Sequence, residues 1–541
     1  MSPRRTLPLL LASLLLTGAA GATGAAGAAA SGSAGAAAAP PAVRPLGDVV
    51  PAPAKVTAAG SPYTLTAATL VRVDTADPAS GEIGGYLAGL LRPATGYPLP
   101  VVDDGAGSGG ILLRLDPKAT TLGDEGYELR SGAAGVTLTA RAAAGLFRGV
   151  QTLRQQLPAS VEKRTVQAGP WKIAGGTVTD TPRYAYRGAM LDVSRHFFTV
   201  EQVKRYIDQL ALYKINKLHL HLSDDQGWRI AVDSWPRLTT YGGSTQVGGG
   251  PGGFYTKADY REIVRYAASR YQEVVPEIDM PGHTNAALAS YAELNCDGVA
   301  PPLYTGTDVG FSSLCAPKQI TYDFVDDVVR ELAALTPGRY LHIGGDEAHS
   351  TSHADYVTFM DKVQPIVAKY GKTVIGWHQL TGATPAPGAL AQYWGLDGSS
   401  AAEKQQVVNA AKAGTGIIMS PADRAYLDMK YTAATPLGQD WAGLVEVKRA
   451  YDWNPATLLP GMPATGVAGV EAPLWTETIS TSAHIDRMAF PRLAGIAELG
   501  WSPAAKHDWT DYRQRLGRQG PRLTALGVDF YRSPQVPWAT G

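Results

Sequence analysis

The segment His342-Ile343-Gly344-Gly345-Asp346-Glu347 places two carboxylates side by side at the end of an apolar run. Paired acids suit acetal chemistry, where one protonates a leaving oxygen and the other attacks or activates water. The usual retaining arrangement needs two carboxylates about 5 Å apart across one bond. Neighbours on a strand point to opposite faces, so Asp346 and Glu347 do not form that pair while both are regular strand. The two glycines free the backbone to turn. One acid can then reach the bond while its neighbour contacts another part of the substrate. That pattern suits a substrate that carries its own nucleophile, such as a 2-acetamido group.

Other polar and aromatic residues follow apolar runs in the same way. They are Asp192 and Arg195; Asp224, Asp225 and Trp228; Glu277, Asp279 and His283; Asp346, Glu347 and His349; Trp377 and His378; Trp394; Asp423, Tyr426 and Asp428; and Trp475 and Glu477. Carboxylates and Arg bind hydroxyls through charge-assisted hydrogen bonds, and Trp faces cover the apolar side of a pyranose. The set points to sugar rather than to phosphate or nucleotide.

These residues need a scaffold that gathers strand ends. Eight apolar segments, 189–194, 217–224, 273–280, 340–346, 373–379, 391–395, 416–422 and 469–475, alternate with helical patterns at 200–212, 257–272, 322–335, 355–370, 401–413 and 485–500. Buried strands alternating with helices over this length predict an α/β fold, a (β/α)8 TIM barrel spanning 183–541, with function at the C-terminal strand ends. A doubly wound open sheet is the other architecture, but no Gly-rich phosphate fingerprint follows the first strand. Upstream, alternation at 69–74, 110–116, 126–130 and 135–141, with amphipathic stretches at 83–91 and 144–157, predicts a small α+β domain over 49–182.

The first 30 residues read as an export signal, with Arg4 and Arg5 before a short apolar run and a small-residue tract. Residues 31–48 read as an Ala/Pro-rich linker. Export carries an expectation of a secreted, extracellular protein with no membrane attachment after cleavage. Cys296 and Cys315 are the only cysteines, and in an oxidising compartment they should pair. Lys plus Arg and Asp plus Glu are 48 each among 541 residues, so no basic field exists to attract nucleic acid or anionic lipid.

His342-Ile-Gly-Gly-Asp346-Glu347 resembles the signature of the family 20 glycoside hydrolases, the β-N-acetylhexosaminidases. The resemblance extends through Arg195 in Leu-Asp-Val-Ser-Arg-His-Phe, through Leu218-His-Leu-His-Leu-Ser-Asp224-Asp225-Gln-Gly-Trp228, and through Pro276-Glu-Ile-Asp-Met-Pro-Gly-His283. Trp377, Trp394, Tyr426, Asp428, Trp475 and Glu477 fall where the family places site residues, and the upstream domain is similar to its accessory domain. The secreted actinomycete enzymes are the most similar.

The resemblance implies a retaining, exo-acting enzyme without cofactor or metal. Glu347 would be the acid/base, Asp346 would hold the acetamido N–H, and Tyr426 would donate to the acetamido oxygen. Asp224 and His283 would form a relay to Glu347. Trp377, Trp394 and Trp475 would enclose the acetamido methyl and the ring. Arg195, Asp428 and Glu477 would bind outer hydroxyls, and Trp441 would shape the rim. Its partners would be oligosaccharides ending in β-linked N-acetylglucosamine or N-acetylgalactosamine, chitin-derived for a secreted enzyme, acted on by a monomer or weak dimer.

Three rivals remain in view. His219 and His221 share one strand face and could join His283 and Asp346 as metal ligands, but they precede the strand end, where interior hydrogen bonding is the simpler use. A silent sugar-binding protein would use the same rim without turnover. A family 18 chitinase would need an Asp-x-x-Asp-x-Asp-x-Glu motif, which the sequence lacks. Asp192 and Asp279 read as supports of the site, and Arg187 as structural.

Overall fold

The computed structural model describes residues 43–540 except residue 107. The export signal, its cleavage region and most of the linker lie outside the described residues. The end of the expected linker is packed: Leu46 is buried in the N-terminal core, and Arg44 pairs with the buried Asp48 at 3.2 Å.

The N-terminal sheet has seven strands in the order Lys55–Ala58, Gly176–Asp180, Tyr127–Gly132, Gly135–Ala140, Ile111–Leu115, Val71–Val73 and Val101–Asp103. Alternation marks four of them. The other three escape it because two are very short or exposed and one follows a Gly-rich loop. Helices Pro78–Thr95 and Ala143–Gln156 cover one face, with Leu87, Leu91, Val150 and Leu153 packed against Leu129 and Leu138. The first helix is longer than the 83–91 expectation, because its four glycines and Pro93 weaken the local helical signal. Asp77 caps its start by accepting from Ser80 N–H.

Eight parallel strands then close into a barrel, so the molecule is a (β/α)8 TIM barrel preceded by an α+β domain. The strands are β1 (Tyr186–Asp192), β2 (Lys217–His221), β3 (Glu273–Glu277), β4 (Tyr340–His342), β5 (Thr373–Trp377), β6 (Leu390–Tyr393), β7 (Gly416–Met419) and β8 (Val467–Ala472). β1 pairs with both β2 and β8. Most end two to four residues before the apolar run does, because the last residues of the run turn over the barrel mouth. β2 shows the two faces: Leu218 and Leu220 pack against the helices, while His219 and His221 bond to groups across the barrel interior.

Helices Val200–Leu212, Lys257–Ala268, Gln319–Leu335, His353–Lys369 and Ala401–Lys412 fall where the 3.6-residue period predicts them. The single helix expected over 485–500 is two, Ser482–Ala489 and Arg492–Trp501. Pro491 separates them, and it holds Phe490 extended (φ −104°, ψ 134°), since a residue before proline is excluded from the helical region. Cys296 and Cys315 form a disulfide in the loop between β3 and β4. No described helix is long and apolar enough to cross a membrane.

The two domains share an ion cluster whose arginines are buried and whose carboxylate is partly exposed. Arg187 on β1 and Arg148 on the second N-terminal helix reach the Glu125 carboxylate at 2.7 and 3.0 Å. Burial disfavours the carboxylate, but the two guanidiniums outweigh it and hold Glu125 down at about 2. A depressed carboxyl contributes stability that is complete above its unfolded value of 4.5 and is lost as pH falls towards 2. Urea unfolding at pH 6 and pH 3 should therefore show Glu125→Gln losing about 3 kcal/mol relative to the parent at the higher pH and distinctly less at the lower. An equal loss at both would show that the ion cluster does not couple the domains in this way.

Candidate active site

The β4 strand ends at His342, and the chain turns through Gly344 (φ 65°) and Gly345 (φ 101°). A Cβ on Gly344 would collide with the Asp279 carboxylate, which accepts the Gly345 N–H at 3.0 Å. Asp279 therefore sets the turn, and the turn carries Asp346 and Glu347 onto the mouth. Glu347 itself is left-handed (φ 43°), as is His283 (φ 56°). Such conformations cost an L-residue about 1–3 kcal/mol and cluster at working sites.

A cavity of about 200 Å³ opens there. Asp346 and Glu347 face it from the β4 loop, His283 from the β3 loop, and Arg195 from the β1 loop. Trp394, Tyr426, Asp428, Trp441, Trp475 and Glu477 complete the wall. Trp475 lies 6.1 Å from Tyr426, and Trp441 stands edge-on to Trp394 at 6.1 Å and to Tyr426 at 6.0 Å, ring centre to ring centre. Half-exposed Trp441 forms the outer lip.

The acids differ in their surroundings. The Glu347 side chain is 27% exposed. Asp346 is buried, and its Oδ1 has no hydrogen-bond partner among the described residues. Burial, reinforced by the Glu347 and Glu277 charges and opposed by His283, pushes Asp346 up to about 6. His283 Nε2 sits 3.3 Å from Glu347 Oε2 and 3.7 Å from Asp346 Oδ2. Its Nδ1 bonds Asp224 Oδ1 at 3.3 Å, and Arg195 reaches Asp224 Oδ2 at 2.7 Å. Burial opposes a charged His283, but Asp224 and Asp346 outweigh it and raise the imidazole well above its ordinary value. At the far side, burial and the Glu477 charge raise Asp428 well above the carboxylate range. The arrangement can deliver a proton from Glu347 and accept an amide N–H at Asp346 beneath an aromatic wall.

Residues 184–504 match the catalytic domain of glycosyl hydrolase family 20, and residues 47–181 match domain 2 of that family. The chain belongs to glycosyl hydrolase family 20. It is an enzyme of the β-N-acetylhexosaminidase kind. A beta-N-acetylhexosaminidase from Cellulomonas fimi is 44% identical over 91% of this chain and 97% of its own length. Its structure is similar to that of the GH20 beta-N-acetylhexosaminidase from Streptomyces coelicolor A3(2), with 70% identity, a TM-score of 0.90, and coverage of 92% of this chain and 99% of that one. It is equally similar to a mutant Streptomyces plicatus beta-hexosaminidase in complex with product (GlcNAc), with 70% identity, a TM-score of 0.90 and coverage of 92% and 98%.

Not every strand-end residue of this family 20 enzyme reaches the cavity. Trp377 is fully buried one ring behind Trp475 (centres 5.7 Å apart) and donates Nε1–H to Glu277 at 2.9 Å. Asp224 stands behind His283 and Arg195. Trp228 packs on Phe324, His378 pairs with Glu403, and Asp423 binds Arg424 and Arg449. Asp225 accepts from Ser312 and Asn285, and His349 lies along an adjoining cleft with Thr351 and Gln379. Asp192 accepts the N–H groups of Ser194, Arg195 and Thr476, which ties the β1 and β8 loops together. Thr307, Val309 and Gln439 line the cavity without having been expected. Thr307 and Val309 lie in an irregular loop and carry no distinctive chemistry. Gln439 had one usable signal, its place two residues before Trp441 in the loop that follows Tyr426 and Asp428.

Among the described residues, four buried groups have ligand atoms close enough to surround a cation: His219, Glu277 and His342; His221, Asp224 and Asp279; Asp224, Asp225 and His283; and Asp279, His283 and Asp346. A metal needs an imidazole lone pair. Both ring nitrogens of His219 and His221 already face carboxylate oxygens at 2.5–3.0 Å, and His283 bonds Asp224. Prolonged dialysis against EDTA should leave the hydrolytic rate unchanged, and recovery of a lost rate on adding back zinc would sink this reading.

Proposed function

We propose that this enzyme removes terminal β-linked N-acetylhexosamine from the non-reducing end by substrate-assisted catalysis with retention. The observation that carries the proposal is the unpartnered Asp346 Oδ1, buried at the cavity beside Glu347 and Tyr426. A buried acceptor without a donor is costly, and an acetamido N–H supplies one. With that group held, its carbonyl oxygen attacks C1 while Glu347 gives its proton to the departing glycosidic oxygen. The C1–O bond breaks and an oxazolinium ion forms. Asp346 offsets the positive charge, and Tyr426 donates to the former carbonyl oxygen. Glu347 then takes a proton from water, whose oxygen attacks C1 and reopens the ring with the β configuration restored. Trp475 and Trp394, backed by Trp377, exclude water around the acetamido group. Arg195, Asp428 and Glu477 bind the outer hydroxyls, and the small cavity holds one terminal sugar.

N-acetylglucosamine is the favoured sugar, because the similar Streptomyces plicatus structure holds GlcNAc as product. N-acetylgalactosamine is a second candidate. Chitin-derived oligosaccharides are the proposed natural source, for an enzyme secreted to the extracellular space. The test uses p-nitrophenyl β-glycosides of N-acetylglucosamine, N-acetylgalactosamine and glucose, with proton NMR of the first sugar released. The N-acetylated substrates should be cleaved to the β-anomer, and the glucoside should react at least about 100-fold more slowly. Equal rates on the glucoside, or initial release of the α-anomer, would end the assisted mechanism.

A further inference from the structure

The barrel interior below the cavity holds a line of alternating charges. Glu471 on β8 faces His219 Nδ1 at 2.8 Å, and His219 Nε2 faces Glu277 Oε2 at 3.0 Å. The same Glu277 oxygen faces His221 Nδ1 at 2.5 Å, and His221 Nε2 faces Asp224 Oδ2 at 2.6 Å. Asp224 continues to His283 and so to Glu347. All five residues from Glu471 to Asp224 are buried.

A neutral imidazole has one N–H and one lone pair. Either nitrogen of His219 or His221, if unprotonated, would aim its lone pair at a carboxylate. A carboxylate on each side of each ring favours imidazolium in both, while Arg195 Nη1, 3.3 Å from His221 Nε2, opposes it there. Burial opposes that charge, but the flanking carboxylates outweigh it, holding His219 up at about 9 and His221 well above the ordinary range. Glu277 is the node. Its second oxygen, Oε1, accepts the Trp377 N–H at 2.9 Å and lies 3.0 Å from His342 Nδ1.

We propose that Glu277, which lies outside the cavity, is a positioning residue of the hydrolysis. It keeps His221 doubly protonated so that His221 holds Asp224 against His283, and it seats Trp377 behind the sugar-facing Trp475. The inference rests on Glu347 acting as the acid/base.

The surrounding groups set the sign. Glu277 is faced by His219 and His221 from β2, His342 from β4 and the Trp377 N–H from β5, and its own charge helps to raise the buried carboxyls of Asp279 and Asp346 in the β3 and β4 loops. His221 also meets Arg195 Nη1 at 3.3 Å and the Trp475 ring at 4.8 Å. Glu471 is held at the far end by Tyr186 and Gln392. Without the Glu277 charge, Arg195 and His219 favour loss of the His221 proton. His221 then has a single N–H for two partners, and Asp224 turns away or shares a proton. His283 loses part of its counter-charge and releases its proton at lower pH.

In Glu277→Gln, the alkaline limb of the kcat/KM profile should move down by about one pH unit, and kcat should fall about 10- to 100-fold with KM changed less than about threefold. A merely structural residue would lower Tm and leave that limb in place, and that result would overturn the proposal. His221→Asn should reproduce the shift, which covers a Glu277→Gln chain that does not fold. The parent enzyme gives an independent reading: 15N NMR of its imidazoles at pH 7.5 should show His219 and His221 protonated on both nitrogens, and a neutral His221 would overturn the inference. Hydrolysis of the aryl N-acetylglucosaminide, with its loss in Glu347→Gln, tests the underlying function separately. Failure there would leave the protonation of His221 standing as a structural property.

Discussion

Glu347→Gln should lower kcat/KM for N,N′-diacetylchitobiose about 10³- to 10⁴-fold. The amide keeps the shape of the side chain but has no proton to give the departing sugar oxygen, and general acid–base groups contribute about that much. The loss corresponds to about 4–5.5 kcal/mol of transition-state stabilisation. The effect should depend on the leaving group. A dinitrophenolate departs without protonation, so its glycoside should lose only about tenfold in the first step. Folding should be unaffected, because the Glu347 side chain is 27% exposed and faces the open cavity. Stopped-flow and steady-state rates on both substrates are the measurement. A uniform loss on both would mean that Glu347 does not protonate the leaving oxygen.

Asp346→Asn should cost about 10²- to 10³-fold in kcat, whatever the leaving group. In the proposed mechanism the carboxylate stands where positive charge develops on the acetamido nitrogen, and a fixed charge in a buried site is worth about this much. Asparagine can still accept a hydrogen bond, so it tests charge rather than contact. The pH profile gives a second reading. Asp346 is pushed up to about 6 by burial and by its acidic neighbours. It is protonated below that value and ionised above it, so the parent kcat/KM should fall as pH drops below about 6. The Asn variant has no such group and should lack that acidic limb. If Asp346→Asn keeps the full rate, the sugar's own acetamido group is not the nucleophile.

Much of the scaffold is legible in the residue order. The eight barrel strands each overlap an apolar run, since burial on both faces leaves few polar positions. The Pro491 break was not legible, because the strong apolar periodicity on either side of it masks the interruption. The short N-terminal strands Val101–Asp103 and Lys55–Ala58 were not, because three or four residues cannot establish a period. The acids of the cavity stand out by type and by their place after a strand. Thr307 and Val309 do not, because an irregular loop gives no rule for the direction of its side chains.

Local order alone determined the strand–helix alternation, the inward face of His219 and His221, and the Gly-Gly turn that sets Asp346 and Glu347 at a strand end. Periodicity of two and 3.6 residues is a property of neighbours along the chain, so it can be read there. Only the closed barrel decided which of the strand-end groups share one cavity, that Trp377 stands behind its wall, and that Glu277 bridges His221 and Trp377. His219 and Glu471 are 252 positions apart, yet their side chains are 2.8 Å apart. Charge states and partners of that kind follow from barrel closure and burial, which no local pattern encodes.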